Sequence, residues 1–326
     1  MHLHDFFREL PQAFDAGTIF FPPYLLCAFT IVLISQMRLR LRQSPQQRLR
    51  IKAILPRAFS TRIWLSRSSR LDLGYTLVFL LAVRGAVAAV ETSAFQGAYR
   101  DTGDILTNAG LRRDLPGFLP GLWVEGLVAT IATMIAIDFA SYCAHRLLHE
   151  WAPLWEIHAV HHSAEHLTPL TTYRQHPIEP LFLNGARGLM SGITLAFVHV
   201  LFPNQTPVIT ILGLGAGFFM YMLTVNLHHF PIPVIYPRFI RFILISPHVH
   251  HLHHSADERF HFRNFGVVFS VWDRIFGTYL DEESALEESA FGLGPLSDRE
   301  WQRHSLFRTL VEPLYRATKN LCRFFN

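Results

Sequence analysis

Residues 122–149 read LWVEGLVATIATMIAIDFASYCAHRLLH. From Leu122 to Cys143 the run is apolar enough, and long enough, for a helix that crosses about 30 Å of hydrocarbon. It ends on His145-Arg-Leu-Leu-His149, two imidazoles four residues apart and so on one face of the same helix. A span that carries two metal-type ligands to the bilayer surface is the starting point for both fold and chemistry.

Four more segments have the same character: Ile19–Met37, Leu73–Val90, Leu181–Phe202 and Val208–Val225. The composition agrees, with 17% charged residues, 28 phenylalanines and a mean hydropathy of +0.22. Such a chain is neither disordered nor an ordinary cytosolic enzyme. Its three cysteines, Cys27, Cys143 and Cys322, are far apart and form no CxxC pair, so neither a disulfide framework nor a thiolate zinc site is suggested. The expected fold is an all-α integral membrane protein with about four to five transmembrane helices.

Charge gives the orientation. Ten basic residues lie between Arg38 and Arg70 with no acid among them. Between two apolar spans, the positive-inside rule explains this stretch without a nucleic-acid partner. With 38–70 cytosolic, the loop from Glu91 to Gly121 lies outside and the third span returns His145 and His149 to the cytosolic face. Everything after Val225 is then cytosolic, and all the histidine clusters fall on one side. Only two of the 29 basic residues are lysine, an arginine bias that suits a GC-rich bacterial genome and hence a bacterial inner membrane. Three regions follow: an N-terminal membrane region, 1–120; a catalytic domain, 121–280; and a cytosolic tail, 281–326.

Fifteen of the 19 histidines lie between His145 and His254. Besides the HxxxH there are two HxxHH groups, His158-Ala-Val-His161-His162 and His250-His-Leu-His253-His254, and a pair, His228-His229. Neutral imidazole suits iron, zinc, copper or nickel rather than magnesium or calcium. Eight clustered imidazoles exceed what one ion takes, so two metals are expected. The number favours iron with oxygen chemistry over a four-ligand structural zinc.

The motifs resemble the fatty acid hydroxylase superfamily, also called the sterol desaturase family, of membrane di-iron oxygenases. The resemblance rests on Asp138-x-x-x-Tyr142-x-x-His145-Arg146-x-x-His149 and Trp155-x-x-His158-x-x-His161-His162-Ser163. It continues through Arg174-x-His176-Pro177-x-Glu179, Ser246-Pro247-x-x-His250-x-x-His253-His254, Asn264-Phe265-Gly266 and Trp272-Asp273-x-x-Phe276-Gly277-Thr278. It implies a four-helix-like membrane core under a cytosolic helical cap that holds two irons with histidines alone. The implied ligands are His145, His149, His158, His161, His162, His228, His250, His253 and His254, with His176 as a replacement for a ligand that some relatives have at the position of Thr224. It also implies an external electron donor such as cytochrome b5 or a ferredoxin, and zinc is able to replace iron in purified protein.

Asp138, Glu179 and Asp273 are candidates to orient the ligands through their second ring nitrogens. His229, His248 and His251 lie off the motif spacing and read as substrate-side or surface residues. Trp123, Tyr142, Trp151 and Trp155 read as an interfacial aromatic belt. The expected activity is O2-dependent hydroxylation or desaturation of a sterol-like or fatty-acyl C–H bond. The alternative is a histidine-rich metal transporter or sensor, which should hold its ligands near the bilayer midplane.

Overall fold

The computed structural model describes residues 25–28, 30–35, 60–111, 122–201, 226–282, 290–294 and 305–325. Among these the chain is all-helical, apart from two isolated bridges, Leu244–Phe269 and Ser255–Phe291. Three helices are long and apolar enough to cross a membrane: α1 (Arg67–Asn108), α2 (Leu122–Glu150) and α4 (Ile178–Leu201). Between α2 and α4 lies α3 (Ala152–His162). The cap adds α5 (Arg238–Arg241), α6 (Pro247–His253) and α7 (Val271–Ile275), and α8 (Leu306–Phe325) follows.

The first expected span is helical at its described positions between Leu25 and Ser35. The fifth, Val208–Val225, lies outside the described residues, as does most of the basic stretch. The loop expected from Glu91 is corrected by α1, which runs on to Asn108. Glu91 ends the apolar window but not the helix: residues 91–108 contain no proline, and nothing interrupts their backbone hydrogen bonding. The pairing with α4 extends along this part too. A Cβ on Gly188 would stand 2.3 Å from the Glu91 carbonyl oxygen, and one on Gly192 would stand 2.4 Å from that of Phe95. Two glycines four residues apart thus let the backbones touch, as small residues do between membrane helices.

Helix α2 ends at Glu150 and α3 starts at Ala152, with Pro153 in its first turn, where a missing N–H costs nothing. This sharp reversal turns the HxxHH face of α3 toward the HxxxH face of α2. Behind α3, Val160 packs with Leu71 and Tyr75 of α1 and with Leu306 and Leu310 of α8. The histidine helix is therefore clamped between α1 and α8.

Candidate metal centre

Two groups of buried histidines face each other. In the first, His145, His149, His158, His162 and His253 each bring a ring nitrogen within 4.8 Å of all the others. His161, His229, His250 and His254 do the same in the second. The groups adjoin: the His162 and His254 rings stack with centroids 4.4 Å apart. The spacing explains the division. On α3, His158 and His162 are four residues apart and enter the first group, while His161 points to the second. On α6, His250 and the following His254 enter the second, and His253 the first.

Three of the outward ring nitrogens are hydrogen-bonded to backbone carbonyls. His145 Nδ1 donates to the Phe265 carbonyl at 2.8 Å, and His253 Nδ1 to that of Arg263 at 2.8 Å. His161 Nδ1 donates to Arg174 O at 3.3 Å, and His158 Nδ1 lies 2.9 Å from Glu179 Oε1. The three hydrogen bonds fix the tautomer and turn Nε2 inward, whereas the approach of Glu179 to His158 falls outside hydrogen-bond geometry. In the first group the Nε2 atoms of His149, His158, His162 and His253 are buried with no hydrogen-bond partner.

The second group has the same need. The Nε2 atoms of His229, His250 and His254 form a triangle with all three sides 3.1 Å. Three converging nitrogens cannot all be satisfied by protons shared among themselves. Nitrogens this far apart fit a cation about 2.1 Å from each, the usual metal–imidazole distance. The donor set thus suits a transition metal in both groups. Burial, reinforced by neighbouring histidines, holds the rings of His158, His162, His250, His253 and His254 well below their ordinary pKa, and burial takes His161 to about 3. The neutral form so enforced is the one that binds metal.

Asp138 and Asp273 act on the site at one remove. Asp273 accepts from the backbone N–H groups of Phe265 and Gly266, at 2.9 and 2.7 Å, and from the Thr278 hydroxyl at 2.6 Å. Asp138 accepts from the N–H groups of Val268 and Phe269 and from Trp272 Nε1, at 2.9 to 3.0 Å. Neither carboxylate hydrogen-bonds to an imidazole of the two groups. Together they shape the loop that presents the carbonyl of Phe265 to His145. Asn264 sits at φ +60° and clamps Leu280 through both its amide atoms. Gly266 leaves no room for a Cβ, which would stand 2.7 Å from Asp273 Oδ2.

Arg174 is a positioning residue that sequence reasoning passed over. It is 1% exposed and pairs with the fully buried Asp72 of α1 at 3.0 Å. Its guanidinium also donates to Val160 O, Ser163 O and Ser163 Oγ at the end of α3. Cations favour helix C-termini, and this one fixes the turn that bears His161 and His162. Its own carbonyl accepts the hydrogen bond from His161 Nδ1.

A cavity of about 500 Å³ reaches the first group, lined by His149, His162 and His253 with Trp155, Phe262 and Glu258 among its walls. The comparisons with known proteins fall on this part of the molecule. Residues 130–278 match the family model "Fatty acid hydroxylase", a stretch that contains both histidine groups. Residues 130–278 thus carry a domain similar to those of the fatty acid hydroxylase/sterol desaturase superfamily. Similar members include ornithine lipid hydroxylase OlsE of Rhizobium tropici, 31% identical over 50% of this chain and 44% of the relative. Lathosterol oxidase of Mus musculus is 25% identical over 50% of this chain and 48% of its own. Alkylglycerol monooxygenase of Xenopus tropicalis is 28% identical over 49% and 32%. The chain thus spans about half the length, or less, of these relatives. No solved structure matches it.

Within the hydroxylase domain, eight of the expected ligands converge in the two groups: His145, His149, His158, His161, His162, His250, His253 and His254. His228 does not join them; its ring stacks on His250 at 4.3 Å. The ninth member is its neighbour His229, which the motif spacing did not indicate. His176 stands apart, with Nε2 donating to Leu310 O at 3.0 Å and Nδ1 accepting from Ile178 N. His248 and His251 are buried rather than at the surface. Trp155 is no belt residue: it faces His149 and His162, with centroids 5.2 and 5.5 Å away. Tyr142 is also buried, 3.1 Å from the Thr278 hydroxyl.

Proposed function

We propose that the chain is a membrane di-iron oxygenase that hydroxylates or desaturates a lipid C–H bond with O2 and externally supplied electrons. The observation that carries this reading is the pair of adjoining histidine groups, of five and four residues, inside a fatty acid hydroxylase domain. The named relatives oxidise or hydroxylate lipids, and the apolar helices put such a substrate within reach.

Two bound irons would supply the power to activate O2 and break an unactivated C–H bond, which no side chain is basic enough to do. His145, His149, His158, His162 and His253 would hold one, and His161, His229, His250 and His254 the other. His228 stacks on His250 and stands ready as a further donor of the second group. The carbonyls of Phe265, Arg263 and Arg174 keep His145, His253 and His161 oriented, and the buried Glu179 carboxyl lies 2.9 Å from His158 Nδ1. Trp155 and Phe262 wall the cavity through which a substrate approaches the first group. The absence of acids and thiols from both groups suits metals that must be reduced before they meet oxygen, with electrons from a partner such as cytochrome b5 or a ferredoxin.

With the basic stretch facing the cytosol of a bacterial inner membrane, this centre lies at the cytosolic surface. The transporter reading fits less well. His145 and His149 occupy the last turns of α2, and the other histidines lie on elements that are not spans. The test is to load the purified chain with iron, add lipid extract, reductant and O2, and analyse the lipids. Oxygen-dependent hydroxylated or unsaturated product supports the proposal; metal flux into proteoliposomes without lipid product overturns it.

A further inference from the structure

The cavity that reaches the first histidine group has a wall from beyond the matched stretch 130–278. Gly292, Leu293 and Gly294 line it together with His149, His162 and His253. They belong to a short strap, residues 290–294, that is tied down on two sides. At the end of α6, the Ala256 N–H donates to the Ala290 carbonyl at 2.8 Å, and Ser255 pairs with Phe291 in an isolated bridge. The Phe291 ring also meets that of His251 edge-on, with centroids 5.8 Å apart. On the other side the strap reaches the residues that follow α3. A Cβ on Gly292 would stand 3.7 Å from Glu165 Cγ and 4.0 Å from the Ala164 carbonyl oxygen. The strap thus bridges the ends of the two HxxHH helices.

Its backbone serves to place one side chain. Gly292 and Gly294 lie at φ +100° and +79°, where a Cβ is strained. Two such glycines let the chain turn on either side of Leu293, which is half-buried in the cavity wall. Phe262, another lining residue, lies at φ +58° and is 55% exposed. A bulky residue seldom takes that backbone, and such strain gathers at ligand sites. Trp155, beside His149 and His162, is the third large apolar side chain of the lining. At about 500 Å³ the cavity is of the size that holds a small molecule or a section of a lipid.

We propose that Leu293 and Phe262 set the width of this cavity and thereby select which lipids reach the first histidine group. The proposal rests on the lipid-oxygenase reading and adds to it the residues that choose the substrate. Leu293 is the sharper determinant, because the strap's other lining residues are glycines that leave the bulk to it. A strap that only shielded the histidines from water would leave selectivity untouched when Leu293 is made smaller.

The test uses the full chain in detergent and two photoreactive probes, a stearic acid and a cholesterol that each carry a diazirine. Mass spectrometry of the digested protein maps where each attaches, without any need for turnover. The stearic acid probe is expected to label the strap and Phe262. Leu293→Ala should raise labelling at Phe262 by the bulkier cholesterol, relative to stearic acid, by about tenfold, a shift that even one methylene brings about in an apolar pocket. Leu293→Trp should lower labelling by both probes by about tenfold. Metal content and melting temperature check the fold of each variant, and Leu293→Ala decides the matter if Leu293→Trp does not fold. No label on the strap or Phe262, or an unchanged ratio in Leu293→Ala, overturns the proposal. Labelling that responds to the Leu293 variants in a chain that yields no oxygenated lipid upholds this assignment and overturns the oxygenase reading, so the two failures are told apart.

Discussion

Replacing Arg174 by methionine tests how the histidine helix is held. The side chain is 1% exposed and its partner Asp72 is 0% exposed, so the substitution strands a carboxylate beyond the reach of water. Thr171 Oγ1, at 2.8 Å, remains to Asp72, but the ion pair at 3.0 Å is gone. Removing one partner of a buried pair costs about 3–5 kcal/mol, chiefly through the charge left behind. The carbonyls of Val160 and Ser163 lose their donors as well. For a chain of this size the loss corresponds to a fall in melting temperature on the order of 10 °C.

The companion Asp72→Asn, combined with Arg174→Met, removes the stranded charge and should recover part of the stability. It should not recover metal, because the end of α3 remains unanchored in both variants. Thermal melting in detergent and metal analysis of the same preparations read the two effects separately. An Arg174→Met protein that melts within about 2 °C of the parent and carries its full metal complement would refute the reasoning.

His229→Ala should remove one of two bound metals while His176→Ala retains both, as metal analysis per chain would report; the opposite pattern would exchange their roles. Glu179→Gln replaces the carboxyl 2.9 Å from His158 Nδ1 and should lower metal affinity by about 10–100-fold, measured by competition with a chelator. Metal-stripped protein should lose stability as the pH falls below about 6.5, where the unfolded histidines take up protons. Burial lowers His251 and His228 to about 3, so the folded state refuses those protons. Each such histidine then costs about 1.4 kcal/mol per pH unit from 6.5 down toward its folded pKa, visible as a falling melting temperature, whereas stability unchanged from pH 7 to 5 would contradict it. Gly192→Val forces a side chain against the Phe95 carbonyl and should prevent α1 and α4 from pairing, seen as loss of folded protein in detergent.

Much of the centre was legible because helical periodicity does the sorting. A residue at i+4 shares a face and one at i+3 nearly so, which made the HxxxH and HxxHH groups readable as ligand sets. His229 lacked that signal: it follows His228 directly and owes its place to the tertiary approach of α6. Trp155 was read as a belt residue because hydropathy reports nearness to a boundary, not which way a ring faces. The reach of α1 beyond Glu91 was hidden for a related reason. Hydropathy marks where a helix leaves lipid, whereas chain and packing decide where it stops. Asp138 and Asp273 were singled out as carboxylates that orient rings, but their role is to shape a loop whose carbonyls do so. That distinction needs coordinates, since backbone acceptors leave no trace in side-chain identity. Arg174 stood inside a quoted motif, yet its partner Asp72 lies 102 positions away, beyond any local pattern.

The most direct measurement is an anomalous difference map, collected at the iron absorption edge, from crystals of the iron-loaded chain. Two peaks are predicted, one enclosed by His145, His149, His158, His162 and His253 and the other by His161, His229, His250 and His254. A single peak, or metal bound away from these rings, would contradict the account.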